Sequence, residues 1–260
     1  MEFNKKLIYK IIDNKIDKLK LGYLTDIELN TLYHAINLNY SLKELYLYWN
    51  QIEDITLLCK SLENNSCLEI LYLEDNKIKD ITPLKFLSNS CLKKIYLSFN
   101  KIENITPLKF LNNSCLEELH LNYNKIEDIT PLKYLSNSCL KELYLKCNQI
   151  KDISTLKYLS NSCLQKLDLS DNQIKDITSL KLLENNTCLQ ELNLSDNKIE
   201  DLTVLKCLEN NTCLQYLSLY GTIIKDITVL KYLENNTRLQ SFYFYIKSVR
   251  KYYIIKISRN

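Results

Sequence analysis

The chain has 260 residues, of which 46% are hydrophobic and 25% are charged, and its formal net charge is +3. A balance this close to neutral gives no reason to expect bulk attraction to nucleic acid or to a membrane surface. No apolar run is long enough for a transmembrane helix either. From the charge and the apolar runs together, we expect neither a nucleic-acid partner nor a membrane partner.

The first segment, residues 1–15, predicts an amphipathic helix that covers the open end of the structure that follows. Its apolar residues gather on one side: Leu7, Ile8, Ile11 and Ile12. Charged residues interrupt the segment and no small-residue cleavage site follows, so it lacks the pattern of a signal peptide. We therefore expect a cytoplasmic, reducing location.

A repeat fills the chain from about residue 16 to residue 246. Its frame is a leucine, two residues, an aliphatic residue, one residue, an aliphatic residue, two residues and an asparagine. Frames begin at Ile16, Leu42, Leu68, Leu92, Leu116, Leu140, Leu164, Leu189, Leu214 and Leu239, and so recur every 24 to 26 residues. The asparagines are Asn50, Asn76, Asn100, Asn124, Asn148, Asn172 and Asn197. The frame degenerates at both ends, which is typical of a stack whose terminal coils face water.

Within a coil, the pattern predicts a short strand and then a short helix. After Leu116, the residues Leu119 and Leu121 alternate with polar residues, as in a half-buried strand whose leucines point inward. Apolar residues then recur about every third position, which favours a helix. Thr130 is expected to cap this helix, and Pro131 suits its first turn, where no N–H is needed.

Repeated strand–helix units predict parallel strands with every crossover on one side of the sheet. Because neighbouring strands lie about 4.8 Å apart, ten coils would form a stack about 45 Å long. We expect one domain over residues 1–260, with about ten repeats at 16–246 and caps at 1–15 and 247–260.

The frame LxxLxLxxN resembles that of the leucine-rich repeat family, whose period of 20 to 29 residues includes this one. Stretches such as NKIKDITPLKFL resemble internalin-type repeats, and ENNTCLQELNLSDN resembles the longer ribonuclease-inhibitor type, so the subtype stays open. The resemblance implies an α/β leucine-rich repeat solenoid, a right-handed β-α superhelix. Its parallel sheet would line the concave face, and short helices would cover the convex face.

The asparagines have an expected structural role. An amide at the end of each strand can accept from and donate to the backbone of its own and the adjacent coil. Only two glycines occur, Gly22 and Gly221. The Asn-rich stretches before each strand are therefore expected to supply the left-handed backbone that glycine supplies elsewhere.

Cysteine precedes the frame leucine in seven successive coils, at Cys67, Cys91, Cys115, Cys139, Cys163, Cys188 and Cys213. A disulfide ladder or a metal site would explain such a column, but CxxC pairs within one loop are missing. We expect small, largely buried thiols, no metal and no cofactor.

Catalysis has no clear candidate residues in this sequence. His34 and His120 are the only histidines, and there is no glycine-rich phosphate loop. His120 and Cys147 on neighbouring coils could imitate a Cys/His pair, which we attribute to chance. We expect that the protein is not an enzyme.

The outward strand positions carry an uneven set of side chains. Aromatic rings and one imidazole occupy the first half of the stack: Tyr46, Tyr48, Trp49, Tyr72, Tyr96, Phe99, His120, Tyr123 and Tyr144. Polar side chains follow from Asp168 onward. Because outward positions need not be apolar for packing, we predict that these nine residues bind a partner. The alternative is a ladder of rings that only stabilises the sheet.

The resemblance implies a non-catalytic module that binds an unidentified partner protein through the concave, aromatic-rich face. Two alternatives stay open: a regulatory subunit that clasps an enzyme, and an extracellular adhesion protein. We expect a monomer.

Overall fold

A computed structural model describes residues 5–256, apart from 89, 112–114, 137, 160–162, 186–187, 210, 212, 223–227, 229–230, 232–238 and 247–250. Within these residues, eleven strands form one sheet in chain order. They are β1 Lys18–Lys20, β2 Glu44–Tyr46, β3 Ile70–Tyr72, β4 Lys94–Tyr96, β5 Glu118–His120, β6 Glu142–Tyr144, β7 Lys166–Asp168, β8 Glu191–Asn193, β9 Tyr216–Leu219, β10 Ser241–Ile246 and β11 Lys251–Lys256.

Strands β1 to β10 pair in parallel, and equivalent residues of successive coils face each other. This open parallel sheet confirms the predicted leucine-rich repeat solenoid. The last pair differs, because β11 runs antiparallel to β10. Of the cap predicted at residues 247–260, only β11 lies within the described residues.

The described residues contain three α-helices: α1 Lys5–Ile12, which precedes β1, and α2 Asp26–Ile36 and α3 Thr56–Ser61, which lie in the first two crossovers. Later crossovers contain 3₁₀ helices instead, at Thr82–Leu87, Thr106–Leu111, Thr130–Leu135, Ser154–Leu159, Thr178–Asn185 and Thr203–Leu208. The α-helices α2 and α3 lie in the two 26-residue coils, whereas the 24-residue coils have 3₁₀ helices. A 3₁₀ helix rises about 2.0 Å per residue, so it crosses the coil with fewer residues.

The prediction for Thr130 was wrong. The cap position of its 3₁₀ helix is Ile129, with no side-chain cap, while Pro131 does occupy the first turn. The Thr130 N–H instead donates to Oδ1 of Asp128 at 2.7 Å. A side-chain oxygen of the Asp or Asn two residues earlier likewise accepts the backbone N–H of Thr56, Thr82, Thr106, Ser154, Thr178 and Thr203.

The core is a continuous column, almost entirely of leucine and isoleucine, that runs along the described part of the stack. Leu116, Leu119 and Leu121 have no exposed surface, which confirms the inward leucines of the frame. At the amino-terminal end, Ile11 of α1 is fully buried, and its neighbours Leu7, Ile8 and Ile12 pack against the same core. The helix therefore covers the first coil.

Two other expectations were wrong. The left-handed backbone expected of the Asn-rich stretches is missing at the described Asn64 and Asn65, which do not have positive φ, whereas Asn89, Asn112, Asn113, Asn137, Asn161, Asn186 and Asn210 lie outside the described residues. Asn65 instead accepts the N–H groups of Cys67 and Leu68 at 2.9 Å with its side chain, so its backbone can stay in an ordinary conformation. The cysteine column is not buried either, since Cys91, Cys115, Cys139 and Cys163 are exposed. Each precedes an inward leucine, and neighbouring side chains of an extended segment point to opposite sides.

Candidate binding surface

The outward residues of β2 to β6 form a continuous stack, here called the ring ladder: Tyr46, Tyr72, Tyr96, His120 and Tyr144. Successive ring centroids lie 4.3, 3.8, 4.2 and 4.3 Å apart, and the ring planes deviate by no more than 23°. In-register parallel strands hold equivalent side chains about 4.8 Å apart, so planar rings stack face to face. All five residues are half-buried.

Carboxylates of the same strands bind the ladder hydroxyls. Tyr46 donates to Glu44 at 2.7 Å, and Tyr144 donates to Glu142 at 2.6 Å. Burial, together with the nearby carboxylate, raises the pKa of the Tyr144 phenol, which therefore stays neutral. These contacts stabilise the sheet independently of any partner.

His120 is the only member of the ladder that is not a tyrosine. Its Nε2 is buried, has no hydrogen-bond partner among the described residues, and lies 3.8 Å from Oε2 of Glu118. Burial lowers the pKa of His120 despite the attraction of Glu118 and Glu142. The ring is therefore held as a neutral spacer between Tyr96 and Tyr144.

The two ends of the ladder differ. At the first end, the Nζ atoms of Lys20 and Lys18 lie 4.5 and 5.1 Å from the ring centroid of Tyr46. At the other end, the strand partner of Tyr144 is Asp168. The Asp168 carboxylate accepts both the N–H and the hydroxyl of Ser170, at 2.9 and 2.6 Å.

A second column, here called the rim, lies at the position before each frame asparagine. It contains Tyr23, Trp49, Asp75, Phe99, Tyr123, Cys147, Asp171, Asp196 and Gly221, and every φ lies between 52° and 70°. Most of the described residues with left-handed backbone therefore lie in the rim, and Asn14 and Gln51 are the others among them. At Gly221, whose φ is 70°, an added Cβ would collide with the Asp196 carboxylate, so a larger residue would force that side chain to move.

The rim rings are much more exposed than the ladder. Trp49, Phe99 and Tyr123 have 48%, 47% and 40% of their surface in solvent. Phe99 and Tyr123 stack at 4.2 Å with planes 9° apart, and Tyr48, which is half-buried, meets Trp49 edge-on at 5.0 Å. The structure therefore divides the nine predicted residues into a half-buried ladder of five, an exposed trio and Tyr48.

Tyr23 belongs to the rim, although it is not among the residues predicted from the sequence. It is 78% exposed and its ring lies 5.7 Å from that of Trp49. Its backbone N–H donates to the Trp49 carbonyl at 3.1 Å, as the next rim residues do to later coils. The signal was present, since the weak frame at Ile16 places Tyr23 at the rim position 26 residues before Trp49.

The second half of the surface is acidic. Asp171 forms an ion pair with Lys146 at 3.2 Å. Burial and the nearby charge of Asp171 raise the pKa of Asp196. Like charges are thus held close together on successive coils.

Cys147 and His120 have different neighbours. The Cys147 thiol contacts Tyr123. The His120 ring instead stacks between Tyr96 and Tyr144. Burial raises the pKa of the Cys147 thiol, which disfavours the reactive thiolate. Within the described part of the chain, no group of three His, Cys, Asp or Glu residues could hold a metal ion. Among the same residues, no helix is both long and apolar enough to cross a membrane.

Comparison with known proteins places the chain within one family. Family models described as leucine rich repeat match residues 66–126, and models of two such copies match 40–86, 116–158, 138–182, 164–207 and 189–232. Among curated protein sequences, none matches.

Solved structures give the same result. Internalin C2 of Listeria monocytogenes has 31% identity over 82% of this chain and 83% of its own, with a TM-score of 0.65. The internalin inlF of the same organism has 24% identity over 90% and 88%, with a TM-score of 0.59. A leucine-rich repeat protein of Leptospira interrogans shares the fold at 19% identity over 93% and 75%, with a TM-score of 0.54. On the evidence of these matches and of its repeated frame, the chain belongs to the leucine-rich repeat family.

Proposed function

We propose that this protein is a non-catalytic module that binds a partner protein through the ring ladder and the exposed rim rings. The leucine-rich repeat fold generally mediates protein–protein interaction, and its members are typically non-catalytic. This property of the family does not say which surface binds the partner. We therefore infer the surface from the exposed rings of the rim.

The supporting observation is that exposed, bulky rings occupy left-handed backbone. Trp49, Phe99 and Tyr123 have φ values of 57°, 55° and 54°. For a residue with a Cβ this conformation costs about 1–2 kcal/mol. Asparagine, aspartate and glycine tolerate it better, and the same column has Asp75 and Gly221 elsewhere. A half-exposed ring recovers little of this cost by packing, which favours a role in recognition.

The test replaces the three rim rings by a residue that tolerates the same backbone: Trp49→Asn, Phe99→Asn and Tyr123→Asn together. We expect an unchanged circular dichroism spectrum and loss of the partner that affinity purification from the native host recovers. The matched control removes two exposed rings of the convex face, Tyr134→Asn and Tyr158→Asn, and should keep the partner. Equal capture by the rim variant and the parent protein would remove the proposal.

The regulatory alternative uses the same surface. If the captured protein is an enzyme, an activity assay with and without this chain separates a regulatory subunit from a simple scaffold. A change in rate that the rim variant abolishes would favour regulation.

We also propose a cytoplasmic location. All ten cysteines carry free thiols and four of them are exposed, which fits a reducing compartment. Fractionation of the native host tests this. Recovery of the protein with secreted material would favour the adhesion alternative.

A further inference from the structure

We propose that a cationic side chain of the partner, arginine above all, docks on the outer face of Tyr144, where the ring ladder ends beside acidic residues. This inference rests on the proposed function and adds the chemistry of the partner: a basic polypeptide segment.

The first end of the ladder shows the same arrangement within the chain. There the ammonium groups of Lys20 and Lys18 cover the Tyr46 ring. Within the described residues, Tyr144 has a ring neighbour only on the His120 side, and no described cation lies over its ring. Asp168, its partner on the next strand, has a short side chain that Ser170 holds. Among the described residues, no ring and no cation therefore covers the outer face of Tyr144.

The charges around this face favour a cation. Five carboxylates occupy outward positions here: Glu142 on the strand of Tyr144 itself, and Asp168, Asp171, Glu191 and Asp196 on the next two coils. Two ammonium groups accompany them. The Nζ atom of Lys166 lies 3.5 Å from Oε1 of Glu142 and 3.7 Å from Oε1 of Glu191. The ammonium group of Lys146 forms an ion pair with Asp171. Negative charge is thus in excess, and a positive group from a partner would reduce the repulsion between Asp171 and Asp196.

Geometry favours arginine over lysine. A guanidinium is planar, so it can stack on Tyr144 as one more step of the ladder. Its fork of N–H groups can then donate to the carboxylates alongside, which a stacked ring cannot do. The ladder and the acidic residues act here as one site, since the ring face and the carboxylates come from adjacent strands.

The probe is an acetylated and amidated peptide of about eight residues that alternates arginine with serine. From β6 to β9 the surface spans about 14 Å, which such a peptide covers at about 3.3 Å per residue. The control peptide has citrulline in place of arginine, which keeps the shape and removes the charge. Calorimetry at low ionic strength should detect binding of the arginine peptide and none of the citrulline peptide.

Three variants test the site. Tyr144→Leu and Asp168→Asn should each weaken binding of the arginine peptide about two- to fivefold. The amide oxygen introduced by Asp168→Asn would still accept the Ser170 hydrogen bonds, so the fold is kept. Lys146→Gln should strengthen binding by a similar factor, because it frees Asp171. A gain of affinity cannot result from misfolding. Glu127→Gln, an exposed carboxylate away from the site, is the control for net charge and should have no effect.

The outcomes are distinct. Equal binding of the citrulline peptide, or a loss in Asp168→Asn without one in Tyr144→Leu, would overturn the ring-and-carboxylate site. If the native partner is lost by the rim variant but kept by Tyr144→Leu and Asp168→Asn, the proposed function stands and this inference fails. If the native partner is kept by all of them, both fail.

Discussion

Oδ1 of Asn124 accepts the backbone N–H of Ile102, which lies one coil earlier, at 3.0 Å. The amide nitrogen of Asn124 is shared among the carbonyls of Leu97, Leu121 and Asn122, at 3.0, 3.1 and 3.2 Å. One buried side chain therefore satisfies backbone groups of two coils at the place where the strand turns. The same arrangement recurs at Asn76, Asn100, Asn148, Asn172 and Asn197.

Asn124→Leu should destabilise the protein by about 1–3 kcal/mol, because it leaves buried backbone groups without partners. Urea unfolding measures the change. Asn30→Leu on the exposed side of α2 is the control, and it should change stability by less than about 0.5 kcal/mol. Equal stability of Asn124→Leu and the parent protein would show that the ladder of asparagines is dispensable.

The left-handed rim predicts an unusual order of stability at Phe99. Phe99→Gly should be more stable than Phe99→Val by about 1–2 kcal/mol, because a β-branched residue is strained at a φ of 55°. At an ordinary strand position the order would be reversed, since glycine costs conformational entropy there. Thermal unfolding of the two variants decides between these orders.

His120 should make stability depend on pH. Burial lowers its pKa in the folded protein, so on acidification the unfolded chain binds a proton first. The contribution of neutral His120 to the free energy of unfolding is complete above the usual histidine pKa of about 6.5. It is lost as the pH falls from that value toward the lower pKa of His120 in the folded protein. His120→Tyr removes this titration and extends the tyrosine ladder.

The measurement is the urea midpoint from neutral pH down to about pH 5. The parent protein should lose more stability than His120→Tyr over this range. If the urea midpoints of the two proteins fell in parallel with pH, His120 would have the same pKa in the folded and the unfolded chain, which would contradict this prediction.

The thiols should differ widely in reactivity. Cys59 is buried, and burial raises its pKa to about 12, so it should react with a disulfide reagent only after unfolding. The four exposed thiols, Cys91, Cys115, Cys139 and Cys163, should react in the folded protein. Mass spectrometry of the labelled peptides identifies the sites, and rapid labelling of Cys59 without denaturant would contradict the described core.

The fold could be predicted from the sequence because the frame leucines repeat a single packing solution in every coil. Pro131 likewise marked the start of a helix, because only a first turn tolerates its missing N–H. The Asp128 contact to Thr130 was harder to foresee, because threonine and aspartate both suit that turn and only geometry shows which one acts. The cysteines were misjudged by residue type, although their place beside an inward leucine already indicated exposure.

The candidate surface was predicted less completely. The outward column identified every member of the ladder, since alternation is enough to place a side chain on one face. Alternation gives no information about φ, so the strained backbone of Trp49 and Phe99 was not foreseen. Tyr23 was missed because its coil has Leu24 in place of the frame asparagine, so the position before that asparagine was not compared in the first coil.

The reversed direction of β11 has a consequence for self-association. A strand that ran parallel to β10 would offer the next copy of the chain a template on which to continue the superhelix. Such head-to-tail contacts do not close on themselves and grow into fibres. Because β11 pairs antiparallel with β10, the far edge of the sheet has the opposite polarity to the near edge at β1. A strand that joined this edge in the direction of β1 would therefore pair antiparallel with β11, so it would not continue the parallel register that β1 to β10 share.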